Sequence, residues 1–336
     1  MIKKLLKFLS LFAFLSVIAS YFLWQDYQKF LNNPLEQTKY EDIVFEIKKG
    51  EGLRAITQKL IDNKLFSKKV NRYYYWFYLR YNRMFRKFKA GEYEFSPQIS
   101  VIDLTNLFIS GKVKQYSVTL PEGWTLKQIK EHLASIEPLS PHKENINFYR
   151  QLGIKQENPE GLFFPDTYFY TRGTSASEIL KRSYLKMQNV LLKAWQKREK
   201  DLPLKTPYEA LILSSIVEKE TGKSSERNKI AGVFIRRLNK KMRLQSDPTI
   251  IYGMGENYDG NIRKRDINEK TAYNTYQINA LPPTPIASAS EESIKAVMHP
   301  DKGKSLYFVA NGKGGHVFSD SLIEHNKAVR KYILNK

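Results

Sequence analysis

The chain has 336 residues, of which 42% are hydrophobic, so it is long enough to fold into two or three domains with sizeable cores. It carries 55 Lys and Arg residues against 34 Asp and Glu residues, and the resulting net charge of +21 suits an anionic partner such as nucleic acid, a phospholipid surface or an acidic polymer. It contains no cysteine, which excludes a disulfide framework, a thiol nucleophile and a cysteine metal site.

Residues 1–25 are predicted to form a membrane anchor with a short cytoplasmic N-terminus. Three lysines precede an uncharged apolar stretch from Phe8 to Trp24, which is long enough to span a bilayer. The basic flank predicts that the N-terminus lies inside and the body outside. The alternative is a cleaved signal peptide, but the apolar run continues past its small-residue site at Ala19. Both alternatives export the body, which argues against nucleic acid as the partner.

Two similar stretches, 45–60 and 118–133, each predict a short strand, a glycine turn and a helix. Aligned without gaps, they match Gly50 with Gly123 and place apolar residues at corresponding positions. Chance similarity between two common units is the alternative explanation. The opening of the first copy, KKGEGL at 48–53, resembles the LysM module, a small βααβ fold that binds N-acetylglucosamine-containing glycans. We therefore expect a LysM-like subdomain over residues 41–115.

Aromatic and basic residues alternate in the stretch that begins at Asn71. Its spacing predicts a core helix with one buried face: Tyr74, Phe77, Tyr78 and Tyr81. A helix near anionic headgroups and an aromatic platform for sugar rings are the alternatives. Tyr93 and Phe95 then alternate on a predicted strand that ends before Pro97.

Residues 116–336 mix helix and strand patterns, so the predicted fold class is α+β. The polar, proline-containing run 138–147 predicts a linker or an exposed insertion. Near the end of the chain, the glycine-rich turn from Asn311 to Gly315 lies between two strands. This pattern predicts a hairpin and not a phosphate-binding loop, because no helix opens after the glycines.

One helix in this region ends on a carboxylate, Glu218. Thr206, Pro207 and Glu209 supply the signals that begin the helix, and residues 210–217 are apolar or small on every side. A helix without a polar face is buried all round. Desolvation and the negative end of the helix dipole would both favour a protonated Glu218, as a general acid requires. The alternative is that the helix end emerges into solvent.

Two further carboxylates follow this helix. Glu226 lies in the first turn of the next helix, where the dipole favours it, so we predict a structural role. Ser246 to Thr249 are predicted to form a turn that could return toward the Glu218 helix end. Asp247 in that turn is the best candidate for a second carboxylate, which would make the protein a two-carboxylate hydrolase.

Long motifs resemble the endolytic murein transglycosylase family (MltG, YceG-like). They include SIVEKET at 215–221, MRLQSDPT at 242–249, GLFFPDTY at 161–168 and TAYNTY at 271–276. The resemblance runs from the membrane segment to the C-terminus. Thr284 and the stretch from Ala287 to Ser290 depart from the glycine and the Asn-Pro-Gly turn that the family usually has there.

The resemblance implies a membrane anchor (1–25), a LysM-like subdomain (41–115) and a catalytic transglycosylase domain (116–336). It implies an inner-membrane protein whose body faces the wall and that uses no metal or cofactor. The expected reaction cuts nascent peptidoglycan strands between N-acetylmuramic acid (MurNAc) and N-acetylglucosamine (GlcNAc). It leaves a 1,6-anhydro end on MurNAc and so terminates glycan elongation beside penicillin-binding protein synthases.

The resemblance assigns the catalytic role to Glu218, acting first as an acid and then as a base. Asp247 would then position the substrate. The remaining expected sugar contacts are Gln245, Ser246, Asn274 and Tyr276. Two other functions stay open at this point: a hydrolytic muramidase that uses Glu218 with Asp247, and a membrane-tethered scaffold that binds the wall without cutting it.

Overall fold

The structure is a computed structural model that describes residues 2–35, 41–66, 70–137, 139–140 and 146–334. The chain divides into two compact units, Met1–Tyr116 and Ser117–Lys336. Helices and short two-stranded sheets occur in both, which confirms the predicted α+β class. Of the predicted linker 138–147, most residues lie outside the described part of the chain.

The first unit begins with one long helix, α1 (Ile2–Asn32), which is long and apolar enough to cross a membrane. The side chains of its apolar stretch are exposed, whereas Tyr27 and Leu31 near its end are buried in the core of the unit. α1 is therefore a candidate membrane span that continues, without a break in the helix, into a folded domain.

The rest of the first unit follows the order strand, two helices, strand, helix. The elements are β1 (Ile43–Ile47), α2 (Leu53–Asp62), α3 (Asn71–Tyr81), β2 (Gly91–Phe95) and α4 (Val101–Ser110). β1 and β2 pair antiparallel, with Ile43 opposite Phe95 and Ile47 opposite Gly91. The βααβ order agrees with the expectation from the LysM resemblance, while membership of the LysM class stays a prediction.

The predicted buried face of α3 is partly wrong. Tyr78 is buried as expected, but Phe77 is 55% exposed and Tyr81 is 77% exposed. The residues that point inward are Asn71, Tyr75, Tyr78 and Leu79. Aromatic residues surround this helix on nearly every side, so the hydrophobic pattern does not identify which face the core covers. The predicted strand is confirmed, because Tyr93 and Phe95 are both buried in β2.

The second unit is mostly helical. Its elements are β3 (Tyr116–Leu120), α5 (Leu126–Ser135), α6 (Ile146–Gln151), β4 (Asp166–Tyr170), α7 (Ala176–Gln196), α8 (Pro207–Glu220), α9 (Ser224–Asn239), α10 (Asp247–Met254), a 3-10 turn (Gly255–Asn257), α11 (Lys264–Asn268), α12 (Glu291–Met298), β5 (Tyr307–Ala310), β6 (His316–Ser319) and α13 (Leu322–Tyr332). β3 pairs with β4, and β5 pairs antiparallel with β6. The second pairing confirms the hairpin that the glycine-rich turn predicts.

α8 is the central helix of the second unit. Every residue from Ala210 to Val217 is buried, and α7, α9, α10 and α12 pack around the helix. The Thr206 hydroxyl accepts the backbone N–H of Glu209 at 3.1 Å, and Pro207 begins the helix. The predicted helix start and the all-round burial are therefore confirmed.

The segment that follows α9 differs from its prediction. Ser246 to Thr249 do not form an isolated turn: Asp247 begins helix α10, and Pro248 follows in its first turn. Proline at the start of a helix breaks no internal hydrogen bond, so the same residues that signal a turn also suit a helix N-terminus.

Candidate active site

The Glu218 carboxylate lies in the last turn of α8 and its side chain is only 6% exposed. Its Oε2 accepts the backbone N–H of Ser290 at 2.9 Å and also the Ser290 hydroxyl. Ser290 is the N-cap of α12, and its hydroxyl oxygen accepts the backbone N–H of Ser293 at 3.2 Å. The helix end therefore does not emerge into solvent at Glu218, because α12 covers it.

A guanidinium group faces the other oxygen of Glu218. Arg227 of α9 places Nη2 3.6 Å from Glu218 Oε1 and 3.7 Å from Glu122 Oε2. Arg227 is 8% exposed, whereas the Glu122 side chain is about half exposed. Desolvation and the nearby Glu218 carboxylate raise the pKa of Glu122, against the opposing effect of Arg227. The site thus holds two carboxylates with one buried cation between them.

The turn between β3 and α5 forms one wall of this site. The Gly123 N–H donates to the Ser288 carbonyl and the Ser288 N–H donates to the Trp124 carbonyl, both at 2.8 Å. Lys219, the neighbour of Glu218, does not pair with it but donates to the Gly123 carbonyl at 3.2 Å. Gly123 has φ of 71°, and a Cβ added there would lie 4.0 Å from Glu218 Cγ. A side chain would therefore fit in the space at this position, and glycine is favoured there by the left-handed φ of the turn.

A buried carboxylate, Glu160, accepts a hydrogen bond from the segment that follows the Gly123 turn. Glu160 is 4% exposed and accepts the backbone N–H of Leu126 at 2.8 Å, the N–H of Gly161 at 3.2 Å and the Tyr252 hydroxyl at 3.2 Å. Burial raises the pKa of Glu160, although these hydrogen bonds oppose the shift. Leu126 begins α5, so Glu160 positions the helix that follows the Gly123 turn.

A second polar cluster surrounds Glu220, two residues after Glu218. The Ser246 hydroxyl donates to Glu220 Oε1 at 2.5 Å, and the Tyr276 hydroxyl donates to Asp247 Oδ1 at 2.7 Å. Burial and the nearby Asp247 carboxylate raise the pKa of Glu220 to about 7, despite the hydrogen bond from Ser246 and the charge of Arg237. The segment after α9 does return to the end of α8, as predicted, but it meets Glu220.

Four of the five predicted sugar contacts belong to the Glu220 cluster. Gln245 and Asp247 are exposed, Tyr276 is half-buried and Ser246 is 1% exposed. Gln245 adopts a left-handed φ of 53° and accepts Arg237 Nη1 at 3.3 Å. Such a conformation is uncommon for a residue with a side chain and occurs often at functional sites. Sugar binding by these residues stays a prediction.

Asn274 differs from the other four. It is 1% exposed, and its side-chain amide donates to the backbone carbonyls of Asp266, Ile267 and Glu269 at 2.6–3.0 Å. Its side-chain oxygen accepts the Tyr276 N–H at 3.0 Å. Both the amide N–H groups and the amide oxygen of Asn274 are therefore occupied by backbone hydrogen bonds within a loop. This disfavours direct sugar binding by Asn274.

Sequence reasoning did not assign a role to Arg227, Ser290 or Glu122. Ser290 lies in the stretch that departs from the family pattern, and Arg227 lies outside the motifs that predict the site. Their partner, Glu218, is 72 residues from Ser290, and no periodicity links the two. Glu226, by contrast, has the predicted structural role, because it accepts both the backbone N–H and the ring of His316.

The described residues include no group of three or more His, Asp or Glu side chains arranged to hold a metal ion. The groups around Glu218 are the N–H and hydroxyl of Ser290, the Arg227 guanidinium and, on the other side of Arg227, the Glu122 carboxylate. Such a set can donate and accept protons and can stabilise charge.

The family model of the YceG-like family matches residues 45–331, so the chain belongs to that family, as its motifs predicted. The structure is also similar to a crystal structure of a YceG-like protein from Listeria monocytogenes. That comparison has a TM-score of 0.56 and 31% sequence identity, and covers 86% of this chain and 99% of the Listeria chain.

Curated relatives carry the name endolytic murein transglycosylase. The chain is 32% identical to the one from Bacillus subtilis, over 92% of this chain and 90% of the relative. It is 27% identical to the one from Streptococcus pneumoniae, over 77% of this chain. The chain spans about half the length of that second relative, since the match covers 53% of it.

Proposed function

We propose that this protein is an endolytic lytic transglycosylase of the cell wall. It cuts nascent peptidoglycan strands between MurNAc and GlcNAc and leaves a 1,6-anhydro end on MurNAc. The observation that carries the proposal is the covered Glu218 carboxylate with Ser290 on one oxygen and Arg227 near the other. The names of its relatives support this choice of reaction and substrate.

Glu218 acts as both the acid and the base of the reaction. As an acid it protonates the glycosidic oxygen of the leaving GlcNAc, and the C1–O bond breaks. As a base it then takes the proton from the 6-hydroxyl of the same MurNAc, whose oxygen bonds to C1. Because the nucleophile belongs to the substrate, the attack is intramolecular and needs neither water nor an enzyme nucleophile. The proton that Glu218 loses is restored in the second step.

Ser290 determines which oxygen of Glu218 carries the transferred proton. Because Oε2 already accepts the N–H and the hydroxyl of Ser290, Oε1 is the oxygen that exchanges the proton with the substrate. The Ser290 hydroxyl accepts from Ser293 N–H and therefore keeps its one proton directed at Glu218. Ser290 is a positioning residue: it fixes the carboxyl group and leaves Oε1 for the glycosidic oxygen.

Arg227 stabilises the negative charge that appears on Glu218 once the proton has left. A guanidinium remains protonated throughout the working pH range, so it stabilises the carboxylate without exchanging its own proton. Glu122 in turn balances the charge of Arg227 from the more exposed side. Asp247 is hydrogen-bonded to Tyr276 and not to Glu218, so we assign it to substrate positioning.

We further propose that α1 anchors the protein in the inner membrane, with the N-terminus in the cytoplasm and both units on the wall side. The lysines that precede the apolar stretch support this orientation. The net charge of +21 suits a protein that works beside anionic lipids and wall polymers. Penicillin-binding protein synthases are the proposed partners, and release of the growing strand from them would terminate elongation.

The test is to incubate the full chain in detergent with uncrosslinked glycan strands and to weigh the products by mass spectrometry. We expect internal fragments lighter by one water than hydrolysis products, and none from Glu218→Gln. Glu131→Gln is the matched control, because Glu131 is an exposed glutamate of α5 outside the site. Fragments with full-mass reducing ends that disappear in Asp247→Asn would replace the proposal with a hydrolase. Binding without cleavage would indicate a scaffold.

A further inference from the structure

Three aromatic side chains form an exposed stripe along α3, and the mechanism above does not use them. The α3 stripe consists of Tyr73, Phe77 and Tyr81, which are 64%, 55% and 77% exposed. They are spaced by four residues, so they lie on one face of the helix, one turn apart. Large exposed aromatic residues in a contiguous row are typical of an interaction surface.

The α3 stripe continues a row of rings that begins on α1. Trp24 lies 5.5 Å from Tyr27, Tyr27 lies 5.6 Å from Phe77, and Phe77 stacks on Tyr81 at 5.9 Å with an interplanar angle of 24°. All distances join ring centroids. Trp24 is the last residue of the apolar stretch of α1, so the row leads from the end of the candidate span onto α3.

The helix geometry holds α3 close to the end of that apolar stretch. Tyr27 is three residues beyond Trp24, which corresponds to a rise of about 4.5 Å along the helix. In the same turn of α1, Asp26 Oδ2 accepts the Tyr74 hydroxyl at 3.1 Å. α1 continues unbroken to Asn32 with Tyr27 and Leu31 in the core of the first unit. No flexible linker therefore separates the candidate span from α3.

Basic side chains accompany the α3 stripe. Residues 71–90 contain six cations and no acidic residue. Five of the cations are exposed and form no ion pair with any described residue: Arg80, Arg83, Arg86, Lys87 and Lys89. Aromatic side chains combined with Arg and Lys are the chemistry by which helices lie in the headgroup region of anionic membranes. A sugar platform would need the aromatic rings but not the cations.

We propose that the α3 stripe is a second membrane contact, which lies in the headgroup region of the leaflet on the side of the body and binds anionic phospholipid. This inference rests on the proposed anchor. The stripe holds the first unit flat against the bilayer, so the orientation of that unit is set by two elements, α1 and α3, and not by α1 alone.

The absence of native cysteine allows a direct test with single-cysteine variants of the full chain in proteoliposomes. Tyr81→Cys carries a bimane fluorophore on the stripe, and Val44→Cys carries it on β1, an exposed site of the same unit. The vesicles contain phosphatidylcholine, a minority of phosphatidylglycerol and a nitroxide lipid. Because interfacial helices lie about 5–10 Å into the headgroup boundary, we expect quenching at 81 about threefold stronger than at 44.

Two further arms test the chemistry of the contact. Phe77→Asp in the Tyr81→Cys chain places a carboxylate in the row of rings and should reduce the quenching to the level of the Val44→Cys control. Arg80→Glu with Arg86→Glu should reduce it in vesicles with phosphatidylglycerol. Omitting phosphatidylglycerol from the vesicles should also reduce the quenching of the Tyr81→Cys chain that carries no further substitution. Quenching at position 81 that is unaffected by the two arginine substitutions and by the omission of phosphatidylglycerol would overturn the anionic-lipid assignment.

Failure of the anchor and failure of the inference are distinguishable. Flotation of the vesicles at alkaline pH reports whether the chain is inserted. If the chain is lost from the vesicles, the proposed anchor fails and the inference fails with it. If the chain is retained but quenching at 81 equals that at 44, the anchor stands and the α3 stripe is not a membrane contact. Protection of the 81 label by added glycan strands would assign the stripe to the wall polymer.

Discussion

The two strand–turn–helix copies of this chain have the same local structure in different surroundings. β1–α2 in the first unit and β3–α5 in the second each turn on a glycine with positive φ, 80° at Gly50 and 71° at Gly123. Most corresponding apolar residues are buried in both copies, including Leu60 and Leu133, although Leu53 is only partly buried where Leu126 is buried. The predicted internal repeat is therefore visible as a repeated local structure.

The surroundings of the two turns differ. A Cβ added at Gly50 would meet no atom within 4 Å, whereas one at Gly123 would lie within reach of Lys219 and Glu218. In the gapless alignment, Lys49 of the first turn corresponds to Glu122 of the second, which faces Arg227. A short sequence pattern therefore determines the turn, while the helices packed against it determine whether the turn becomes part of a site.

The cations that face the carboxylates of the two turns, Arg227 near Glu122 and Lys59 near Glu51, provide the sharpest test of this difference. Arg227→Met removes the buried charge near Glu218, and we expect a loss of about 100-fold in kcat/KM, as for other groups that stabilise charge at a reacting centre. Lys59→Met removes the partly exposed partner of Glu51 in the first copy and should cost less than about 1 kcal/mol of stability with unchanged activity.

Activity on glycan strands and hydrogen exchange of α8 check this pair of variants together. Arg227→Lys is the control that keeps the charge and should recover part of the activity. Full activity of Arg227→Met with an intact α8 would show that the guanidinium has no role in the reaction.

Desolvated carboxyl groups also distinguish the second unit. Glu220 has a pKa raised from 4.5 to about 7 by burial, so its contribution to stability is present below about pH 4.5 and is lost as the pH rises through about 7. At 1.36 kcal/mol per pKa unit, this loss is about 3 kcal/mol. Glu220→Gln should remove this pH-dependent loss of stability, because glutamine does not ionise.

Urea unfolding at about pH 4 and about pH 8 tests this prediction, because it measures the free energy of unfolding on both sides of the titration. Relative to the parent, Glu220→Gln should gain stability at the higher pH. An equal pH dependence in both proteins would contradict the prediction. Ser246→Ala, which removes only the hydrogen bond to Glu220, is the companion variant.

The two copies also differ in helix capping, and the expected effect on stability is smaller than that of Glu220. Thr125 and Gln128 form a capping box at the start of α5, whereas Gly52 at the start of α2 makes no side-chain cap. We expect Thr125→Ala to cost about 1 kcal/mol and Gly52→Ser to add a few tenths of a kcal/mol. Gly52 has ordinary extended dihedrals and open space around it, so serine fits there. Hydrogen exchange of α2 and α5 amides measures both changes, and a cost at Gly52 would refute the comparison.

The turn carboxylates should respond to pH with opposite signs. Although burial opposes the shift, hydrogen bonds from Lys59 and Lys48 lower the pKa of Glu51, so its stabilising effect is lost as the pH falls. Desolvation raises the pKa of Glu122, so its effect is lost as the pH rises. Hydrogen exchange of α2 in Glu51→Gln and of α5 in Glu122→Gln should therefore change in opposite directions between acidic and neutral pH. A common sign would show that the two turns are electrostatically equivalent.

Local signals account for the parts of the fold that were predicted correctly. Thr206, Pro207 and Glu209 mark the start of α8 because capping groups act within one helical turn. Two local interpretations were wrong for the same kind of reason. The Asp247-Pro248 pair suits a turn and a helix start equally, and α3 has aromatic residues on nearly every face. In both cases, packing chose between alternatives that the local pattern left equivalent.

The amino-acid pattern alone was enough to predict the candidate membrane span, the buried α8 and the family, because each depends on neighbours within a few helical turns or on a contiguous motif. The catalytic role of Glu218 stays a prediction. The packing of the helices showed that Ser290 and Arg227 surround Glu218 and that Glu220, not Glu218, meets the segment around Asp247. These contacts join residues brought together by loops between helices. A local residue pattern does not determine which loops contact each other. The neighbours of a buried carboxylate are therefore fixed only when the helices pack together.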